Sequence, residues 1–225
     1  MAKGQEIQRG RNKRHTKPVV IIVCEGKVTE PKYFGNFKGR HKPIKIEIVK
    51  GAAGKNYDAL IKEADRAVHK HVIDTDGSYS VWCVSDVDVD HNTPGNYSTR
   101  NDQLKKYVAE AKSRKFEVAL SNPCFELWFL LHFTPNPGYM RDYDAVKKEL
   151  SVGLPNYQKN SDVYSLLAAN QATAIDNAKS LEQIQKQNKT DLMDVTVNPY
   201  TSVWKLVEAI NFDKFVVQPN AIKEN

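Results

Sequence analysis

With 225 residues, 40% of them hydrophobic and 27% charged, the chain has the composition of a globular protein with room for one sizeable core. Its net charge of +6 is uneven: residues 1–17 hold Lys3, Arg9, Arg11, Lys13, Arg14 and Lys17 against Glu6, and the remainder is close to neutral. No apolar segment of a secretion signal follows those basic residues, and no run approaches the roughly 18 apolar residues of a membrane span, so a cytoplasmic chain is expected.

The arm over 1–17 reads as a phosphate-binding tail or as a solubilising terminus. After it, Val19, Val20, Ile21, Ile22 and Val23 predict a buried strand over 18–24 that runs into Glu25 and Gly26. Thr29, Glu30 and Pro31 start a helix to about Lys38. Ile44, Ile46 and Ile48 alternate with Lys45 and Glu47, which predicts a half-exposed strand near a sheet edge. A helical stripe over 56–72 precedes a second buried strand over 79–85. That strand runs into Asp86, Val87, Asp88, Val89 and Asp90. A polar loop is expected at 91–98, a helix over 99–114 and a strand over 116–120. Ser121, Asn122 and Pro123 are expected to cap and open an apolar, buried helix over 124–133.

Residues 134–139, with Pro135, Pro137 and Gly138, break the pattern, and helices are expected at 141–150, 161–187 and 200–210. The division is thus a basic arm over 1–17, an α/β core over 18–133 and a helical region over 134–225 packed on it. Strands alternating with helices imply a mainly parallel sheet flanked by helices, with its site at the carboxyl ends of the strands.

Glu25, Asp86, Asp88, Asp90 and the Ser121–Glu126 segment all fall at such ends. Clustered carboxylates repel and are costly to desolvate, and a hard divalent cation such as Mg²⁺ compensates both effects. Asp86 and Asp88, two residues apart, share a face in strand geometry and are the expected ligands; Asp90 joins them or marks the turn. Glu25 is a second ligand or a general base, against the plainer role of an acid at a helix N-terminus. Glu126, set among Phe125, Leu127, Trp128 and Phe129, needs a partner: the metal shell, the 91–98 loop or the helix start. His91 follows the acids as a phosphate or water contact, and His132 shares the face of Glu126 or is structural.

Other chemistries fail on spacing. Gly51 to Asn56 lacks GxxxxGK[ST], so there is no Walker P-loop, and His91 and Tyr97 stand where an EF-hand needs glycine and glutamate. No GxSxG occurs. Cys24, Cys83 and Cys124 lie in apolar runs without a CxxC pair and are expected to be reduced core residues.

Taken together, Cys24, Glu25 and Gly26 with Thr29, Glu30, Pro31, Tyr33 and Phe34, the acids Asp86, Asp88 and Asp90 with His91, and the run from Ser121 to Trp128 resemble the RloB family. Asn198, Pro199, Tyr200, Thr201, Ser202 and Val203 fit its C-terminal segment. The resemblance spans roughly residues 18–210. It implies a Toprim-like fold, with Glu25 as acid/base and Asp86 and Asp88 holding Mg²⁺ or Mn²⁺. It further implies a nuclease acting on DNA or tRNA in an antiviral defence system of abortive-infection type, regulated by an AAA- or ABC-type ATPase. Catalytic roles are expected for Glu25, His91 and Glu126. Nucleic-acid contacts are expected from Arg11, Lys13, Arg14, Lys27 and Asn122. A second copy of the chain in a homodimer is a further expected partner; a membrane is not.

No tyrosine stands where a topoisomerase nucleophile is needed, so strand-passing chemistry is not expected. A DxDx[TV] phosphatase is disfavoured because Asp90 occupies the Thr or Val position. The main competitor is a non-catalytic nucleic-acid or protein adaptor on a Toprim scaffold.

Overall fold

The β-branched run is buried throughout and forms β1 (Val19–Cys24), the strand on which the sheet is built. The computed structural model describes residues 17–39, 42–51, 56–74, 78–87, 96–188 and 191–212. The arm residues Arg11, Lys13 and Arg14, and the acids and histidine Asp88, Asp90 and His91, lie outside them. Parallel partners flank β1: β2 (Lys45–Val49) at one edge and β3 (Tyr79–Asp86) on the inner side. Strand β4 (Glu117–Asn122) adds to β3 in parallel, and β5 (Tyr200–Thr201) closes the far edge antiparallel. The order β2-β1-β3-β4-β5 makes a five-stranded, mostly parallel sheet among the described residues.

Helices cover both faces, as a sheet with apolar residues on both sides requires. Val19, Ile21 and Val23 point toward α2 (Tyr57–Asp74) and α3 (Tyr97–Ser113), meeting Leu60, Ile61, Leu104 and Tyr107. Val20, Ile22 and Cys24 point the other way, toward α1 (Thr29–Gly35) and α4 (Glu126–Leu130). That second face also receives α5 (Tyr143–Gly153), α6 (Tyr164–Leu167), α7 (Gln171–Asn188) and α8 (Val203–Phe212). The helices beyond residue 134 therefore share one hydrophobic cluster with α1, α4 and the sheet. The connections run from β1 outward to β2, then back across β1 to β3. The direction of winding thus reverses between β1 and β3, and that is where an open α/β sheet leaves a crevice at its carboxyl edge.

Several boundaries differ from expectation, each for a local reason. Ser121 and Asn122 do not cap a helix; both belong to β4, and a cis Asn122–Pro123 bond follows. The helix starts only at Glu126, behind Phe125, with no side-chain cap. Asn122 is unavailable as a cap because its amide donates to the carbonyls of Val195 (2.9 Å) and Val197 (2.8 Å), while its Oδ1 accepts from Asn198 (3.3 Å). The expected helix over 200–210 begins at Val203. Tyr200 and Thr201 are instead captured by β4, where Ser202 exchanges contacts with Leu120 and Thr201 meets Ser121 hydroxyl to hydroxyl at 3.0 Å. The single helix expected over 161–187 is α6 and α7, separated by a 3₁₀ turn at Ala168–Asn170.

Candidate metal centre and substrate cleft

Because β1 and β3 are parallel neighbours in register, Cys24 opposite Val84, the residues that follow them emerge side by side. The Glu25 amide extends the ladder to the Val84 carbonyl at 3.0 Å, and the Glu25 Oε2 accepts from the Asp86 amide at 3.1 Å. Two carboxylates expected from sequence to work together are thus brought together by the sheet. They line one cavity of about 380 Å³, with Asn56, Tyr57 and Asp58 from the start of α2 and Arg100, Gln103 and Lys106 from α3.

The cavity wall is braced from behind. Tyr57 stacks flat on Tyr107, with centroids 4.5 Å apart, and its hydroxyl donates to the Asp86 carbonyl at 3.3 Å. Asn56 caps α2 by accepting from the Ala59 amide at 2.8 Å. Ser85 donates to the Tyr107 hydroxyl at 3.3 Å, so the end of β3 is tied to both helices.

On the other side of the strand ends lies a buried acidic layer. Glu30, only 6% exposed, accepts from the Gly26 amide at 3.0 Å. A Cβ on Gly26 would collide with that carboxylate, so the glycine is what lets Glu30 reach the backbone. Burial, together with the charges of Glu126 and Glu25, raises the Glu30 pKa above the ordinary carboxylate value, partly offset by its backbone hydrogen bonds. Glu126, 2% exposed, accepts from the Tyr157 hydroxyl at 2.9 Å. Its partner is therefore a tyrosine from beyond the 134–139 breaker rather than a helix start. Cys24 and Cys124 sit in this layer, and burial pushes both thiols well above their ordinary range; for Cys124 the carboxylates of Asp86 and Glu126 add to the effect.

Three of the other predicted residues do not line the cavity. Lys27 is exposed on the loop after β1, its stem lying over Gly51. Asn122, 1% exposed, spends its amide inside the chain and presents no surface to a nucleic acid. His132 is buried apart from the cavity, with Nδ1 against the Trp128 carbonyl at 2.9 Å and its ring edge-on to Trp128; burial lowers its pKa to about 4.

A divalent cation is implied by the acids, and the donors present suit it in kind. Among the described residues, Glu25 and Asp86 offer carboxylate oxygens and no thiolate or imidazole lines the same cavity, a set that matches Mg²⁺ or Mn²⁺ rather than zinc. Among the described residues no group of three or more His, Cys, Asp or Glu is disposed to hold a metal. Asp88 and Asp90, the remaining acids of the run, lie outside those residues.

The family model for RloB-like proteins matches residues 20–210. The chain belongs to the RloB family. No curated protein and no solved structure matches it. The matched span takes in the strand-end acids, the buried acidic layer and Tyr157 alike, so in this RloB-family chain the site and the C-terminal helices fall within one family unit. The basic arm with Arg11, Lys13 and Arg14 precedes it.

Sequence reasoning did not single out Glu30, Tyr157, Tyr57, Arg100 or Lys106 for the site. Glu30 had a usable signal: a glycine four residues earlier, directly after Glu25, leaves space for a returning carboxylate. The others join the site only through the packing of α2, α3 and the segment after α5.

Proposed function

We propose that this RloB-family protein is a divalent-metal-dependent nuclease that hydrolyses phosphodiester bonds in DNA or tRNA. The observation that carries the reading is the pairing of Glu25 and Asp86 at the carboxyl ends of adjacent parallel strands, on one cavity, at the point where the winding reverses. Asp86 would hold Mg²⁺ or Mn²⁺, with Asp88 and Asp90 as further oxygen donors. Such a cation neutralises charge on the phosphate and makes bound water more acidic. Glu25 then serves as the general base that takes the proton of the attacking water, its orientation set by the Asp86 amide. Tyr57 and Tyr107 keep the end of β3 from shifting. Glu126 positions the layer behind the site rather than touching the substrate, since it is buried against Tyr157.

A mostly parallel sheet with a glutamate after its first strand and an aspartate at the end of an inner one also supports the Toprim-like assignment. A role in antiviral defence of abortive-infection type, control by an AAA- or ABC-type ATPase, a homodimeric state and a cytoplasmic location complete the proposal; these rest on the family resemblance. No described helix is long and apolar enough to cross a membrane.

The test is calorimetric titration of Mn²⁺ into the wild type and the Asp86→Asn/Asp88→Asn variant, followed by cleavage assays with Glu25→Gln. Saturable binding should vanish in the double variant, and Glu25→Gln should cut at least about 100-fold more slowly while still binding metal. Unimpaired cleavage by Glu25→Gln and Asp86→Asn would sink the site assignment. Nucleic-acid binding indifferent to metal, with no cleavage by the wild type, would favour the adaptor reading.

A further inference from the structure

The cavity that holds Glu25 and Asp86 has a second wall of opposite character. Along α3, Arg100, Gln103 and Lys106 face the same space, and Asn56 adds an uncharged donor from the start of α2. Arg100 donates to Gln103 at 3.2 Å and lies over the Tyr57 ring at 6.0 Å, so its planar guanidinium is steadied on the ring that braces Asp86. Lys106 is 69% exposed and reaches Asp58, itself 57% exposed, at 3.6 Å. A long ion pair between exposed partners contributes little, so the ammonium is readily recruited by a stronger anion.

We infer that Arg100 and Lys106 bind the phosphodiester backbone of a nucleic acid and hold it across the cleft from Glu25 and Asp86. A carboxylate wall alone repels a polyanion. A cation-bearing wall on the far side supplies the attraction and fixes which phosphates lie near the acids. Arginine suits this by offering two parallel donors to one phosphate, and lysine by acting as a movable point charge. Six residues of helix separate them by about 9 Å along the axis, so the two meet different phosphates of a strand. The groove along β2, with Lys38, Lys45, Arg66 and Lys70, is also cationic but contains neither Glu25 nor Asp86. The inference uses the nuclease reading only for the fate of the bound phosphate; the binding itself needs no chemistry.

The experiment is fluorescence anisotropy with fluorescein-labelled single-stranded DNA, duplex DNA and an RNA hairpin, in EDTA so that nothing is cut, over a range of salt. The full chain is compared with Arg100→Ala/Lys106→Ala, with the charge-conserving Arg100→Lys/Lys106→Arg, and with Arg11→Ala/Lys13→Ala/Arg14→Ala. Loss of two phosphate contacts should weaken binding about tenfold or more at low salt and flatten the log–log salt dependence by about one to two units. The charge-conserving variant should keep the salt slope and bind more tightly than the alanine variant, losing only what the two-donor contact of Arg100 adds, a pattern that a folding defect would not give. The probe that shows the loss identifies DNA or RNA as the source of the phosphates. Unchanged affinity and slope in the alanine variant, with all loss confined to the arm variant, would overturn the inference, as would a wild type that binds none of the probes. Failure of the nuclease reading looks different: no Mn²⁺ binding and no cleavage by a wild type whose nucleic-acid binding still depends on Arg100 and Lys106.

Discussion

Glu30 shows what one side chain costs and returns at this site. Its carboxyl is buried beside Glu126 and Glu25, and burial first, then those charges, raises its pKa above the ordinary 4.5. A carboxyl whose folded pKa lies above its unfolded value binds its proton more tightly when folded. Its contribution to stability is therefore complete below about 4.5 and is lost as pH rises through the raised value. Glu30→Gln keeps an oxygen for the Gly26 amide and removes the charge, so the variant should not lose stability over that window while the wild type does. Urea denaturation across pH measures the difference, and parallel curves would show that Glu30 is not a source of pH dependence. The neighbouring Glu25 and Asp86 were legible in the sequence because acids ending β-branched runs are conspicuous. Glu30 was passed over, because a residue in the first turn of a helix has an ordinary explanation in the helix dipole, and that explanation hid the cue of Gly26 four residues earlier, whose amide Glu30 accepts from.

At the scale of elements, the parallel core was predictable and the join to the C-terminal segment was not. Strands β1, β3 and β4 announce themselves because residues buried on both faces must be apolar and favour β-branching. The edge position of β2 follows from its alternation of Ile with Lys and Glu. Strand β5 is two residues long and has no period to detect; it exists because β4 offers a partner and Asn122 holds the preceding segment. The same amide misled the prediction of α4, since an Asn–Pro pair ahead of an apolar run also describes a helix start. Asn122→Ala would leave two buried carbonyls without donors and should cost roughly 3 kcal/mol in denaturant unfolding. Mn²⁺ binding by the folded fraction should persist, because the asparagine stitches β4 to the segment before β5 rather than lining the cavity. A loss under about 0.5 kcal/mol would mean that water replaces the amide without penalty.

For the whole molecule, the consequential fact is that α5, α7 and α8 lie on the sheet face that also carries α1 and α4. Val146, Leu150, Leu181 and Leu206 share a cluster with Ile22, Phe34 and Trp128. A chain stopped after Phe133 would expose that face, and with it Glu126, whose Tyr157 partner would be gone. Such a fragment should show no cooperative thermal transition by circular dichroism and no resolved near-ultraviolet signal. A sharp transition would instead identify residues 18–133 as an independent folding unit. Sequence reasoning placed a boundary at 134–139 on the strength of two prolines and a glycine, which mark a turn without saying on which side of the core the chain returns.

The thiols carry a different consequence. Cys24 ends β1 immediately before Glu25, Cys124 stands two residues before Glu126, and Cys83 is set in the interior of β3 with its pKa pushed up to about 12. All three are buried, and for each the thiolate that reacts with alkylating reagents is scarce as well as hidden. Alkylation at Cys24 and Cys124 is thus governed by how often the strand ends come apart, and at Cys83 by how often the sheet itself does. The chain contains its own chemical clock for breathing motions, with two hands at the cleft and one in the frame that supports it.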